Sequence, residues 1–375
     1  MTSMTTAAPT RQRRVRTRPD RVVFAGVDTH KELHVAAVID SGETVLGTRS
    51  FSTTRAGYRA LLAWIVEFGQ LGRIGVEGTG SYGAGLTRHL VTAGVTILDV
   101  DRPDRSDRRR KGKDDDLDAI NAARAALHQR RTVAPKSKDG AVEALRVLRV
   151  ARAHAVRERR NTLQLLRMTI VAAPDELRDQ VRNLTRVQLI RILAAWRPDV
   201  SNAADPVTAH RVALKSMARR YLELSDEITD LDELINPLVE ALAPQLLARL
   251  GIGIEVAGQM LITAGGNPDR MRSEAAFAML CGAAPLPASS GMTQRHRLNR
   301  GGDRQANRAL HLVAISRIRL DPKTRAYVAR KTAEGHSKLE IIRCLKRYLA
   351  REIFFLLNPG QPTIPRRPYR RHRAA

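Results

Sequence analysis

Acidic residues are the first shortage. There are 38 Asp and Glu against 64 Lys and Arg, which leaves a net charge of +26 over 375 residues. A compact chain carrying that much charge of one sign repels itself unless a polyanion neutralises it, and nucleic acid is the commonest polyanion. Composition alone leaves one duller alternative, a basic soluble protein of ribosomal type. Aromatics are scarce, at 4%, so base stacking is not the main way a nucleic acid is held. The cysteines, Cys281 and Cys344, lie far apart with no metal-ligand spacing. They read as ordinary thiols of a reducing compartment, which excludes a disulfide scaffold or a zinc finger. No apolar run reaches the roughly 18–20 residues that span a bilayer. Nor does an apolar stretch follow the early arginines (Arg11, Arg13, Arg14, Arg16, Arg18) as in a secretory signal. The expectation is a cytoplasmic, nucleoid-associated protein with no membrane partner. What the chain does have is apolar content, 43%, sufficient for two or three folded domains.

Residues 1–20 read as a disordered basic arm, and 21–133 as an α/β domain. Apolar runs predict strands over 22–27, 33–39, 44–51, 73–76 and 95–100, with a turn at Ser41-Gly42. Thr54 caps a predicted helix whose positions Tyr58, Leu61, Leu62 and Ile65 share a face, and a second helix is predicted over 82–93. Three sequential strands imply a meander, and the helix-separated ones imply parallel neighbours. That is the order of a ribonuclease-H-like fold. The segment RPDRSDRRRKGK (102–113) is a basic connector, and a helix is predicted from Asp114 to about residue 130.

The region 140–245 reads as a long helical coiled-coil or oligomerisation region. Met217, Tyr221, Leu224, Ile228, Leu231, Ile235, Leu238 and Leu242 alternate spacings of four and three, a heptad seam. The seam does not say whose helix it faces, so a hairpin within the chain and an oligomerisation arm are both open, and the seam over 217–242 is the expected assembly element. Arg146, Arg149, Arg152, Arg157, Arg159 and Arg160 are expected on an outer face. A mostly α-helical C-terminal domain is expected over 246–357, opening at LGIGIEVA, a sequence that resembles a helix-hairpin-helix turn able to hold a phosphate on backbone N–H groups. Helices are predicted over 304–319, 322–333 and 337–356, and the stretch 358–375 reads as a basic disordered tail.

Two constellations can carry chemistry. Asp28 ends the first strand and Glu77 the fourth, neighbours in such a sheet. Asp115 and Asp118 are three apart at a helix start, hence on one face. Four converging carboxylates repel one another, and two Mg²⁺ ions relieve that repulsion while clamping the attacking and leaving oxygens of a phosphodiester. Taken singly, Asp28 can be a turn residue, and Asp114, Asp115, Asp116 and Asp118 can cap a helix and complement its dipole. The second is Ser289-Ser290-Gly291 with Arg295, Arg297 and Arg300 downstream, a loop whose serine can attack phosphorus while arginine stabilises the developing charge. Composition alone also permits a plain turn. A rival lies in Gly78-Thr-Gly80-Ser-Tyr-Gly83 followed by Asp99 and Asp101, which matches the dinucleotide fingerprint and carries the alternative of a nicotinamide-dependent enzyme. Glu77 beside a pyrophosphate, and the position of the motif after a meander, argue against it.

Six segments together resemble one family. They are GVDTHKELHVAAVID (26–40), GVEGTGSYGAGL (75–86), KDDDLDA (113–119), LGIGIEVAGQ (250–259), PLPASSG (285–291) and RGGDRQANRALHLVA (300–314). In this order they are similar to the transposases of the IS110/IS116/IS902 insertion sequences. The resemblance implies a RuvC-like domain whose D-E-D-D acids are Asp28, Glu77, Asp115 and Asp118, holding Mg²⁺ or Mn²⁺. It also implies a C-terminal domain whose nucleophile is Ser290, with Ser289 as the adjacent alternative. The family often has Lys-Thr-Asp where this chain has Lys113-Asp114-Asp115, which leaves the register of the third acid open. It further implies double-stranded DNA (element ends and target) as substrate, a structured guide RNA, and a homo-oligomer, a dimer assembling to a tetramer. Arg108, Arg109, Arg110, Lys111, Lys113, Arg295, Arg297 and Arg300 are the expected nucleic-acid contacts. A metal-dependent nuclease without serine chemistry and a non-catalytic binder are the competing readings.

Overall fold

The computed structural model describes residues 20–100, 114–129, 132–289 and 296–360. Residues 1–19, the connector with Arg108, Arg109, Arg110, Lys111 and Lys113, the stretch with Ser290 and Arg295, and residues 361–375 lie outside the described residues. The chain divides into two units, residues 1–138 and 139–375.

The first unit is built on a mixed sheet of strand order β3-β2-β1-β4-β5-β6. Strands β1 (Val22–Thr29), β4 (Gln70–Glu77) and β5 (Ile97–Val100) run parallel. β2 (Leu33–Asp40) pairs antiparallel to β1, and β3 (Val45–Ser52) antiparallel to β2. β6 (Thr132–Val133), which the sequence reading did not anticipate, pairs antiparallel to β5. β1 and β2 are buried along nearly their whole length, as expected of strands covered on both faces. On one face Val23, Ala25, Val27, Ala36 and Val38 pack against α1 (Arg55–Val66) and α2 (Ala84–Thr92) through Leu61, Trp64, Ile65, Leu86 and Leu90. Thr54 caps α1 by accepting from Gly57 N. This architecture is consistent with a ribonuclease-H-like domain.

The other face carries α3 (Asp115–His128), and its docking is unusually close. α3 presents Ala119, Ala122, Ala123 and Ala126, all buried at helical spacing. Opposite them are Gly26 of β1 and Gly75 of β4. A Cβ at Gly26 would fall on the backbone of Ala119 and Ala123, and one at Gly75 on the backbone of Ala122. Small residues on both sides let the helix backbone sit against the sheet, and so set the position of the acids in the helix's first turn.

The second unit is helical among its described residues, apart from a short hairpin. α4 (Gly140–Val171) and α7 (Pro206–Leu242) lie antiparallel. Leu145 meets Ile235 and Val239 at one end, Ala155 meets Leu224 and Ile228 in the middle, and Leu166 meets Leu214 and Ala218 at the other. Two short helices, α5 (Asp175–Val181) and α6 (Arg186–Ala195), close that last end through Val181, Leu189, Ile190 and Leu193. The heptad residues Leu224, Ile228 and Ile235 therefore face α4 of the same chain, as in the hairpin alternative. The expected outer arginine face is corrected in part: Arg149 and Arg152 are largely buried in ion pairs. Arg152 binds Asp232 and reaches Glu255 at 2.6 Å, and Arg149 reaches Glu255 at 3.0 Å. A helical pair of this length buries its own seam, and the acids opposite draw those arginines inward.

The rest of the unit forms around Phe277, Met260, Leu310 and Phe354, contributed by α9 (Ile254–Ala264), α10 (Glu274–Leu280), α11 (Arg304–Leu320) and α13 (Lys338–Leu357). The four-residue α8 (Pro244–Leu247) precedes the LGIGIEVA turn, where Gly251 takes φ +81° and Arg317 Nε donates to Leu250 O at 2.9 Å. α12 (Pro322–Ala333) follows α11. Asp303, Asp321 and Ser337 cap α11, α12 and α13, which explains why these three boundaries were legible in advance. No helix among the described residues is long and apolar enough to cross a membrane.

Candidate active site

β1 and β4 are parallel neighbours, with Val27 opposite Val76, so Asp28 and Glu77 emerge at the same sheet edge. The Thr29 hydroxyl donates to the Glu77 carbonyl at 2.7 Å and locks that edge. The first turn of α3 arrives beside it. Its acids divide by direction. Asp114 is the helix cap, accepting from Asp116 N at 3.1 Å. Asp116 faces outward and accepts from Thr48 Oγ1 at 3.1 Å. Asp115 and Asp118 turn toward β1. Of the register alternatives, the geometry thus presents Asp115, not its neighbours, to Asp28.

Between Asp28 and Asp115 stands His30, which the sequence reading did not single out. Its Nε2 lies 3.1 Å from Asp28 Oδ2 and 3.5 Å from Asp115 Oδ2. One ligand atom from each of Asp28, His30 and Asp115 lies within 4.8 Å of the others. Asp118 is buried, 3% exposed, and its charge acts on Asp28. Glu77 is half-buried at the same edge, but its carboxylate is not part of that tight trio. The signal for His30 was available in Asp28-Thr29-His30: residues two apart on an extended chain share a side.

Asp28 is 7% exposed. Burial raises its pKa above the ordinary carboxylate value, His30 opposes that, and the charges of Asp118 and Asp115 add to the rise. Its ionised form is disfavoured there, and a nearby cation would offset that cost. The donor set fits a divalent ion: carboxylate oxygens from two elements converge, and the buried His30 Nε2 between them makes no hydrogen bond of good geometry.

The dinucleotide fingerprint has a different use here. It follows β4, not the first strand of a parallel sheet, and the hydroxyl of the buried Thr79 donates to Asp99 Oδ1 at 2.7 Å. The supposed ribose-binding acid is thus engaged by the turn itself. Gly78, at φ +69°, and Gly83, packed against Val76 and Thr29, shape the link into α2.

In the second unit the serine segment joins β7 (Leu286–Pro287) to β8 (His296–Arg297), an antiparallel hairpin. Ser289 is exposed; Ser290 and Arg295 lie outside the described residues, while Arg297 and Arg300 are exposed near the hairpin's second strand. The base of the hairpin is fastened by asparagines. Asn307 Nδ2 donates to Cys281 O and Gly282 O at 3.0 and 2.8 Å, and Asn299 Oδ1 accepts from Gly301 N at 3.0 Å. Gly302, at φ +91°, lies against the Met279 and Leu280 carbonyls, where a Cβ would clash. The RGGDRQAN run is therefore a latch for the hairpin and a cap for α11.

Two family models match the chain. The IS110 transposase DEDD domain covers residues 25–173, and the transposase domain of the IS116/IS110/IS902 family covers residues 244–329. The chain belongs to this family of transposases, which process DNA. Among its relatives is an uncharacterised 43.6 kDa protein of insertion element IS110 from Streptomyces coelicolor, 30% identical over 152 residues. That match spans 40% of this chain and 37% of the relative. An uncharacterised 42 kDa protein of insertion element IS900 from Mycobacterium paratuberculosis is 24% identical over 372 residues, spanning 87% of this chain and 93% of the relative.

Proposed function

We propose that this chain excises and integrates an insertion sequence by cutting and rejoining DNA, with Ser290 as nucleophile and Mg²⁺ or Mn²⁺ at Asp28, Glu77, Asp115 and Asp118. The observation that carries the reading is the convergence of Asp28, His30 and Asp115, with Asp118 buried beside Asp28, in a chain of a transposase family. When bound, the cation supplies polarisation of a phosphodiester oxygen. His30 Nε2, 3.1 Å from Asp28 and 3.5 Å from Asp115, offers a further donor atom to the same cation. The serine hydroxyl gives up its proton as its oxygen attacks phosphorus, the bond from phosphorus to one DNA oxygen breaks, and that oxygen leaves as a hydroxyl by taking up one proton, so protons balance over the step. The serine–phosphate ester conserves the bond energy. Attack by a DNA hydroxyl of a second end then restores the serine without ATP.

Paired ends require more than one active site, hence a homo-oligomer, a dimer assembling to a tetramer. A structured guide RNA that pairs with donor and target relieves the protein of reading bases, in keeping with the arginine-rich, aromatic-poor composition.

Strand exchange on an element-end substrate tests the reading. Ser290→Ala should abolish exchange and the covalent protein–DNA adduct, whereas Ser289→Ala keeps both. Asp28→Ala should reduce exchange by about a thousandfold, some 4 kcal/mol of barrier. Cleavage undiminished by Ser290→Ala favours the nuclease reading, and full activity in Asp28→Ala overturns metal catalysis here.

A further inference from the structure

A cleft of ≈570 Å³ opens in the second unit beside the base of the β7–β8 hairpin, bordered by Gly282, His296 and Arg297 on one side and by His336, Arg343 and Lys346 on the other. Cations outnumber acids on its walls: Arg297, Arg343, Lys346 and Arg347 face one acid among the described lining residues, Glu340. Lys346 stands apart from the rest: it is 7% exposed, although lysine is almost never buried without a carboxylate. Its one polar partner among the described residues is neutral, Asn307 Oδ1 at 2.8 Å. The acids on adjoining turns are otherwise engaged, Glu274 by Arg347 and Glu340 by the Ser337 cap and, at 3.9 Å, by Arg343. An ammonium group has three N–H donors, and Asn307 uses one. Two donors on a desolvated cation at the wall of a basic cleft form a receptor for an anion.

We propose that this cleft is a DNA-backbone subsite in which Lys346, with Arg297 and Arg343 at its rim, binds a phosphodiester of the duplex. The assignment rests on the reading of the chain as a DNA recombinase. Burial, then the nearby Arg343, lowers the Lys346 pKa, so in the free chain its charge is held against a penalty that a phosphate removes. The Asn307 link gives the contact a second consequence. The same amide holds the carbonyls of Cys281 and Gly282, so an anchored phosphate is registered against the backbone that leads into the hairpin. Lys346 is in this sense a binding and positioning residue.

The test measures affinity of the full chain for a fluorescent 30-base-pair duplex as a function of salt. Lys346→Met should weaken binding about tenfold near 0.1 M salt and flatten the log–log salt slope by about one, the signature of one lost phosphate contact, while Lys346→Arg retains both. An unchanged slope in a folded Lys346→Met chain overturns the proposal. So does a loss confined to a structured RNA hairpin with duplex binding intact. Should Lys346→Met fail to fold, Arg297→Gln, on the exposed strand, carries the test: a slope lowered by about one supports the subsite, and an unchanged slope overturns it. Because the readout is binding, it stands apart from the recombinase chemistry. Normal exchange by Ser290→Ala refutes that reading without altering the slope.

Discussion

The two units solve the problem of placing charge in opposite ways. In the first, like charges are gathered: Asp28, Asp115 and Asp118 are brought together by a sheet and a helix in backbone-close contact, with His30 between Asp28 and Asp115. In the second, the buried charges of the long hairpin are matched, Arg149 and Arg152 against Glu255 and Asp232. Lys346 is the exception that behaves like the first unit. Charges that are already paired hold a fold together. A desolvated carboxyl beside like charges, Asp28, and a buried ammonium on a neutral partner, Lys346, mark where something from outside is expected, a cation at the first and a phosphate at the second.

The comparison can be broken unit by unit, because the chain's two tryptophans fall one in each, Trp64 and Trp196. Single Trp→Phe backgrounds report each unit's unfolding separately. The largest effect expected is that of Gly26→Val. A branched side chain there drives α3 off the sheet, at a cost of about 3 kcal/mol or more. The Trp64 transition should move down, Mg²⁺ should no longer raise it, and the Trp196 transition should stay. An unchanged Trp64 midpoint would mean that the close helix–sheet contact does not position the acids. Next comes Arg152→Met, which leaves Asp232 without its arginine while Glu255 keeps Arg149, and should lower the Trp196 transition by about 2 kcal/mol. A smaller loss would mean that the pair is not needed to hold α4 on α7.

Asp28→Asn works in the other direction. The raised pKa means that the ionised carboxyl is less favourable here than in water. Removing its charge should therefore stabilise the metal-free first unit by about 1 kcal/mol while abolishing stabilisation by added Mg²⁺. Calorimetry with and without Mg²⁺ separates the two effects. A metal response that survives the substitution would remove Asp28 from the cation site.

The smallest effect concerns His34. This residue is fully buried in β2, stacked on Tyr58 at 5.8 Å, with both ring nitrogens lacking hydrogen-bond partners. Burial is the main cause holding its pKa below the ordinary 6.5. The unfolded ring thus takes up a proton before the folded one does. Its contribution is complete above about pH 6.5 and is lost as the pH falls below that value. The Trp64 transition should weaken by about 1 kcal/mol between pH 7.5 and 5.5, and His34→Phe should flatten that slope. A slope equally steep in the variant assigns the pH dependence to another group.

Much of this was legible in one dimension. The strands of the first unit fall where apolar runs predict them, α1 starts after Thr54, and the last three helices begin at Asp303, Asp321 and Ser337, because caps and periodicity are local signals. Three features were not. His30 was passed over although its spacing from Asp28 puts both on one side, because one nearby carboxylate does not set a ligand-like histidine apart from an ordinary surface one. Only the arrival of α3, 85 residues later, gives it a second carboxylate. The inward turn of Arg149 and Arg152 depends on acids more than 75 positions away. β6 is two residues long, too short for a pattern.

The amino-acid sequence alone determined the charge that demands a polyanion, the identity and order of the secondary elements, and the six segments that mark the family. Each of these is carried by neighbours along the chain or by composition. Tertiary structure decided which two of Asp114, Asp115, Asp116 and Asp118 turn toward β1, that Leu224, Ile228 and Ile235 of α7 face α4 of their own chain, and that Lys346 is buried at the wall of a cleft. These depend on residues far apart in the chain; at the acids the distance is set by how closely Gly26 and Gly75 let the backbone of α3 approach the sheet.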